Sequence, residues 1–232
     1  MIVVVTGTNT DVGKTIATAA LAAAWQDAGL SVRVAKPLQT GEPEGTGDAN
    51  TVARLTGVRT HELTRFPEPL APNLSARRVG MQVPSLQAVC EWILNLDASH
   101  NGVTLVEGAG GLLVRLADEY TIAEIAAELR APLVVVTSLG LGSLNAAELT
   151  VREAQRRDVR VAGLIGGSLP AEPDLATRLN LEELPLVTGV DLWASIPAGA
   201  GSLGPAEFTE LSLIHISEPT RRTERSRMPS SA

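Results

Sequence analysis

Residues 7–15, Gly-Thr-Asn-Thr-Asp-Val-Gly-Lys-Thr, limit what this chain can fold into more than any other stretch. The apolar, β-branched run Met1–Thr6 precedes them and reads as a buried strand. The Ala-rich run Ile16–Trp25 follows and reads as a helix. A strand, a glycine-bounded loop ending in Gly-Lys-Thr and then a helix form the setting of a phosphate-binding loop. There the backbone amides and the helix N-terminus face an anion. Lys14 can then reach the β- and γ-phosphates, and the Thr15 hydroxyl can ligate Mg²⁺. The spacing departs from the common form, because five residues separate Gly7 from Gly13 and Thr8 stands where the first glycine usually does.

The remainder alternates strands and helices. Strands are expected at Ser31–Lys36, Val103–Glu107, Pro132–Thr137 and Arg160–Ile165. Helices are expected over about 48–55, 86–97, 121–130, 143–157 and 173–183, the last followed by the apolar run Leu186–Val190. Residues 67–84 hold four prolines and read as a long irregular loop, a feature usually tied to function or a lid. Continuous apolar strands with helical crossovers predict one α/β domain, a mostly parallel sheet covered on both faces, over residues 1–210. From Leu211 the chain loses this pattern and turns Arg/Ser-rich. The segment 211–232 reads as an atypical tail, vector-derived rather than natural.

The 232 residues carry a net charge of −7 with no basic stripe in the body of the chain, which speaks against a nucleic-acid partner. No apolar run is long enough to span a membrane. No basic n-region or cleavage site precedes the first strand, so a cytoplasmic protein is expected. The lone Cys90 lies in an apolar helical pattern and reads as a core thiol.

Ligands of open α/β sheets sit at the carboxyl ends of strands. Glu107 closes one predicted strand and opens Glu-Gly-Ala-Gly-Gly, which makes it a candidate Mg²⁺ ligand. Asp48 begins a helix; it can serve as a plain N-cap or complete an oxygen set with Thr15 and Glu107. Lys36, placed at the end of the second strand before Pro37, is a candidate for holding a transferred phosphoryl group. Asn145 opens a helix after Gly140-Leu141-Gly142-Ser143-Leu144.

Together the loop 7–15, Lys36-Pro37 with Thr40-Gly41, Asp48, Glu107–Gly111 and Gly140–Asn145 resemble dethiobiotin synthetases, in the same order across about residues 1–205. The resemblance implies a phosphate-loop α/β fold, a homodimer with its substrate site at the interface, and 7,8-diaminopelargonate, CO₂ and MgATP as substrates. It implies that Asn9, Thr10, Asp11, Val12, Gly13, Lys14, Thr15, Ile16, Gly166, Gly167 and Pro197 line the nucleotide. It assigns Thr10, Lys36, Thr40, Glu107, Gly110, Gly111 and Asn145 to the substrate, Asn145 acting in the partner subunit. Catalysis falls to Lys36, Lys14 and Thr10, and Mg²⁺ to Thr15, Asp48 and Glu107. One position departs from the family: Gly166-Gly167-Ser168 stands where an asparagine often reads adenine, so other nucleoside triphosphates are expected to serve as well.

Two other phosphate-loop classes fit less well. Partitioning and division-site ATPases carry a second lysine early in the loop, where this chain has Asn9. Amidating synthetases of the cobyrinate type bring a glutaminase domain with a nucleophilic cysteine, for which this chain is too short.

Overall fold

The computed structural model describes residues 1–215. Among these, seven strands form one sheet: β1 (Ile2–Gly7), β2 (Val32–Thr40), β3 (Arg59–Phe66), β4 (Val103–Gly111), β5 (Leu133–Thr137), β6 (Val161–Leu169) and β7 (Leu192–Pro197). Their order is β3-β2-β4-β1-β5-β6-β7, and every neighbouring pair is parallel. The connecting helices are α1 (Lys14–Asp27), α2 (Asp48–Thr56), α3 (Pro72–Val79), α4 (Leu86–Ala98), α5 (Ile122–Glu128), α6 (Ser143–Arg156), α7 (Leu175–Thr188) and α8 (Pro205–His215). None of them is long and apolar enough to cross a membrane.

Strand β1 is apolar from Ile2 to Val5 because both its faces are covered. Val3 and Val5 pack with Leu21 of α1 and Val52 of α2, whereas Val4 packs with Val89 and Ile93 of α4 and Ile125 of α5. Alternate side chains of a strand point to opposite faces, so a run without polar residues requires helices on both. A third cluster joins Val135 and Leu164 to Val151 of α6 and Leu184 of α7.

The structure corrects the sequence reading in several places. Strand β2 runs on to Thr40, so Lys36 lies within the strand and not at its end. Pro37 is tolerated because the pairs with β4 run only from Val32 to Ala35, so its missing N–H falls beyond that ladder. Strand β4 likewise continues past Glu107, its register with β1 slipping between Val5↔Glu107 and Gly7↔Gly111. Strand β3 was not expected: Arg-Thr-His-Glu-Leu-Thr-Arg-Phe pairs with β2 alone and is an edge strand, where charges replace the apolar signal. The proline-rich segment is not wholly irregular, since α3 starts with Pro72 in its first turn. Helix α7 absorbs Leu186–Thr188, and the seventh strand follows it.

The change of character expected at residue 211 falls inside α8. Phe208 is fully buried in the α1 cluster, Leu211 packs against the same core, and the buried Ser212 hydroxyl donates to the Phe208 carbonyl at 2.7 Å. A serine on the inward face breaks the apolar stripe that would have marked this helix. The rest of the expected tail, 216–232, lies outside the described residues. Replacing Phe208 by Ala should cost about 3–5 kcal/mol, a fall in Tm of roughly 6–20 °C for a domain of this size. A thermal melt followed by circular dichroism checks this, and a fall of under about 2 °C would mean that α8 does not pack on α1.

Candidate active site

The loop between β1 and α1 is built as an anion cradle. Gly13 is the N-cap of α1 with φ 91°, a left-handed conformation open to glycine, and no side chain caps the helix. The first amides of α1 are thus left for a ligand. The Thr8 amide donates to the Val136 carbonyl of β5 at 2.9 Å and ties the start of the loop to the sheet. The Lys14 ammonium folds back onto the Asn9 carbonyl at 3.0 Å. Burial, with Lys36 nearby, lowers its pKa below the usual lysine value.

Next to the loop lies a buried ionic cluster. The Lys36 ammonium sits 2.5 Å from Asp48 Oδ2 and 3.1 Å from Glu107 Oε1, and donates to the Gly108 carbonyl at 2.9 Å. The Thr15 hydroxyl lies 2.7 Å from Asp48 Oδ1 and 3.0 Å from Glu107 Oε1. Lys36 and Glu107 are 2% and 1% exposed, so these charges depend on one another rather than on water. Burial works against the Lys36 ammonium, but Glu107 and Asp48 outweigh it and hold the amine above its usual pKa. Burial raises Glu107 above the ordinary carboxylate range, and nearby Asp48 adds to this. Asp48 is also desolvated, yet Lys36 and the Thr15 hydroxyl bring it below its ordinary value. Lys14 and Lys36 are the only two lysines in the chain; the other members of its lysine-plus-arginine set are all arginines.

The loop and the cluster border a cleft of ≈ 730 Å³. Lys14, Thr15, Lys36 and Asp48 form its charged end, and Leu38, Leu70 and Val114 lie along its apolar wall. A cleft with converging cations at one end and apolar walls suits a small molecule with a polar head and an aliphatic body.

A family model described as an AAA domain matches residues 2–203. An ATP-dependent dethiobiotin synthetase of Corynebacterium diphtheriae is 60% identical over 210 residues, covering 90% of this chain and 94% of the relative. Another, of Rhodococcus jostii, is 54% identical over 210 residues, covering 89% and 90%. The chain belongs to the ATP-dependent dethiobiotin synthetase family. Among solved structures, the MinD cell division protein of Aquifex aeolicus aligns with a TM-score of 0.58 at 15% identity, covering 99% of each chain. At that identity the likeness concerns the phosphate-loop fold alone.

Within this synthetase fold the expected residues divide into two groups. Thr10, Asp11, Gly13, Lys14, Thr15, Ile16, Lys36, Thr40, Asp48 and Gly110 line the cleft, and Glu107 is buried among them through Lys36 and Thr15. Asn9 is exposed and its side chain accepts from the Thr10 amide. Val12 and Gly111 are buried in the supporting layer. Asn145 does not line the cleft; it is exposed in the first turn of α6. Pro197 closes β7 opposite Leu169 and is also outside the cleft lining. Gly166 and Gly167 are buried in β6 and do not form an open glycine-walled pocket. A Cβ on Gly166 would meet Leu139 at 2.6 Å, and one on Gly167 would meet the Val12 carbonyl oxygen at 1.8 Å. Gly167 lets the phosphate loop lie directly on β6, and Gly166 makes room for Leu139.

Two details sharpen the sequence reading. Asp48 is not the N-cap of α2; Gly47 is, and the Asp48 amide is taken by the Gln39 side chain at 3.0 Å. The Asp48 carboxylate is therefore free to face Lys36 and Thr15. The proline-rich segment supplies Pro69, Leu70, Ala71 and Pro72 to the cleft wall, a placement only tertiary packing reveals. Cys90 is buried and its thiol is pushed up to about 11 by burial, which suits a packing role and not a nucleophile.

The close approach of Gly167 to the loop has a direct test. In Gly167→Ala the added methyl must displace the Val12 carbonyl, and a shift of about 1 Å in a positioning group can cost roughly a hundredfold. Nucleotide affinity, measured by calorimetry with a non-hydrolysable ATP analogue, should fall at least about tenfold. Unchanged affinity would mean that the loop does not depend on this close approach.

Proposed function

We propose that this chain converts 7,8-diaminopelargonate, CO₂ and ATP to dethiobiotin, ADP and phosphate, with the cluster Lys36–Asp48–Glu107–Thr15 beside the phosphate loop as its catalytic centre. The single observation that carries this reading is that cluster: two carboxylates, a hydroxyl and a lysine converging at one end of a cleft with an apolar wall.

One substrate amine adds to CO₂, forming a C–N bond and releasing a proton. A carbamate oxygen attacks the γ-phosphorus of ATP; the bond to the β-phosphate oxygen breaks and ADP leaves. The second amine attacks the carbamoyl carbon of the mixed anhydride, the C–O bond to phosphate breaks, a proton is lost and the five-membered ureido ring closes. Phosphoryl transfer of this kind calls for positioning and charge neutralisation more than covalent catalysis.

In this reading Lys14 and the amides of residues 12–16 hold the β- and γ-phosphates. Lys36 sits between carbamate and γ-phosphate, and Thr10 and Thr40 hydrogen-bond the reacting end of the diamine. Gly110 and Gly111 let the backbone approach it. Among the described residues no three His, Cys, Asp or Glu side chains form a metal cluster. The Thr15 hydroxyl nevertheless lies within hydrogen-bond distance of both Asp48 and Glu107, and the Lys36 ammonium contacts both acids, a set of hard oxygens already gathered around a cation that fits Mg²⁺. When bound there, the ion would neutralise developing phosphate charge. The distal carboxylate is assigned to Asn145 across a homodimer interface, a reading supported by its exposure at the start of α6 and by the 91% exposed Leu141 beside it. The enzyme acts in the cytoplasm on small molecules, without nucleic acid or membrane partners. Of the tail expected at 211–232, the part beyond α8, residues 216–232, is assigned a vector origin and no role.

Dethiobiotin formation, followed by mass spectrometry together with diamine-dependent ADP release, tests the reading. ADP release that ignores the diamine would favour a switch ATPase instead. Lys14→Ala should lower turnover about a hundredfold, the scale on which one charge-assisted interaction stabilises a transition state. Asp48→Asn and Glu107→Gln should each raise the Mg²⁺ concentration needed for half-maximal rate. A variant that keeps the parent Mg²⁺ dependence would lose that residue its place on the ion. Since Lys14, Thr15 and the loop amides would hold the triphosphate that all nucleotides share, CTP, GTP and UTP should support turnover within roughly tenfold of ATP. A gap of a hundredfold or more would assign base reading to another group.

A further inference from the structure

A lysine ammonium has three N–H donors and no more. On Lys36 all three are taken, by Asp48 Oδ2 at 2.5 Å, Glu107 Oε1 at 3.1 Å and the Gly108 carbonyl at 2.9 Å. So arranged, the group has nothing left to offer a carbamate or a phosphate. It also occupies the space between the two carboxylates assigned to the divalent ion, whose third ligand, Thr15 Oγ1, is bonded to both of them. Lysine and ion cannot both neutralise Asp48 and Glu107 from the same place. Removing the ammonium without replacement would leave two carboxylates, one 1% exposed, facing each other with no counter-charge.

We propose that Lys36 is a resident stand-in for the divalent cation: it holds Asp48 and Glu107 neutralised while the site is empty, and the arriving ion displaces it onto the substrate. This rests on the assignment of Asp48 and Glu107 to the ion made above. Two consequences follow. The protein alone binds the divalent ion poorly, because the ion must first expel a built-in cation; it enters with the nucleotide, whose phosphates provide a new partner for the displaced ammonium. The catalytic lysine is also delivered only when ion and nucleotide are both in place, so its charge is not left unpaired in a buried site. Lys14 is held apart from this exchange by the Asn9 carbonyl, which takes its ammonium at 3.0 Å.

The decisive experiment is Mn²⁺ binding without nucleotide, read by electron paramagnetic resonance. Lys36→Met should bind Mn²⁺ roughly tenfold or more tightly than the parent, the scale expected from removing one cation at contact distance. The gain should vanish in the Lys36→Met/Asp48→Asn double variant. Equal affinity of parent and Lys36→Met, or a gain that survives in the double variant, overturns the proposal. Should Lys36→Met fail to fold, the parent decides. With lysine ¹³C-labelled at Cε, the chain's two lysines give two signals, separated by assigning one through Lys14→Met. In the ADP-bound parent, adding Mg²⁺ should move the Lys36 signal; a Lys36 signal that stays in place overturns the proposal. None of these readouts involves turnover, so their failure is distinct from a failure to make dethiobiotin.

Discussion

Burying Lys36 and Glu107 beside the half-buried Asp48 is the constraint around which the rest of this structure is arranged. Desolvation costs several kcal/mol per ion, and attraction repays it only when geometry is good and the remaining hydrogen-bonding capacity is met. The sheet provides that geometry. Ala35 of β2 pairs with Val106 of β4, so the next residues, Lys36 and Glu107, emerge side by side on the same face. Asp48 arrives from the first turn of α2, held by Gln39 three residues beyond Lys36 on the same strand. Thr15 comes from the first turn of α1 and bonds both acids. Each member is fixed by a different element, and none can shift without leaving a buried charge exposed to an apolar neighbour.

The same logic explains why the site lies where it does in the sheet. Helix α1, which follows β1, packs on one face through Leu21 and Ala17; α5, which follows β4, packs on the other through Ile122 and Ile125. Adjacent parallel strands whose helices leave to opposite faces open a crevice at their carboxyl ends, where such sheets bind ligands. The phosphate loop occupies one lip of that crevice and the Glu107–Gly111 end of β4 the other. Gly167 completes the support by letting the loop rest on β6, the strand beyond β5.

How much of this was readable from the residues follows from how each signal is encoded. The loop 7–15 was legible because its chemistry is local: glycine, lysine and threonine act through the backbone turn they occupy. Buried parallel strands were legible as apolar runs, and so was α/β architecture. Strand β3 was not, because an edge strand with one partner carries Arg, His and Glu and has no apolar signature. The extents of β2 and β4 were cut short because proline and a glycine run signal a strand end locally, while pairing to β3 and β1 continues past them. Asp48 was ambiguous between cap and ligand, and only Gln39, distant from it on another element, resolves that: it takes the amide and leaves the carboxylate free. In the sequence Gly166 and Gly167 stand only as the absence of a base-reading side chain, whereas their closeness to Leu139 and Val12, respectively, gives them a packing reason that no single sequence displays.

The choice of lysine at the two central positions is itself a physical statement. Nineteen lysines and arginines occur in the chain, yet lysine is found only at residues 14 and 36. On the surface the guanidinium serves well: Arg156 and Arg157 both pair with Glu153, and Arg65 pairs with Glu62 while also donating to backbone carbonyls. A guanidinium is planar and presents its donors as a rigid fork. At position 36 the acceptors Asp48, Glu107 and Gly108 come from separate directions and converge on a point. A compact ammonium at the end of a flexible stem meets all three at once and can later swing to a different partner; a fork would meet one carboxylate well and leave the other unpaired. The demand for a charge that is both compact and mobile therefore singles out lysine here, while arginine serves where the partner is fixed.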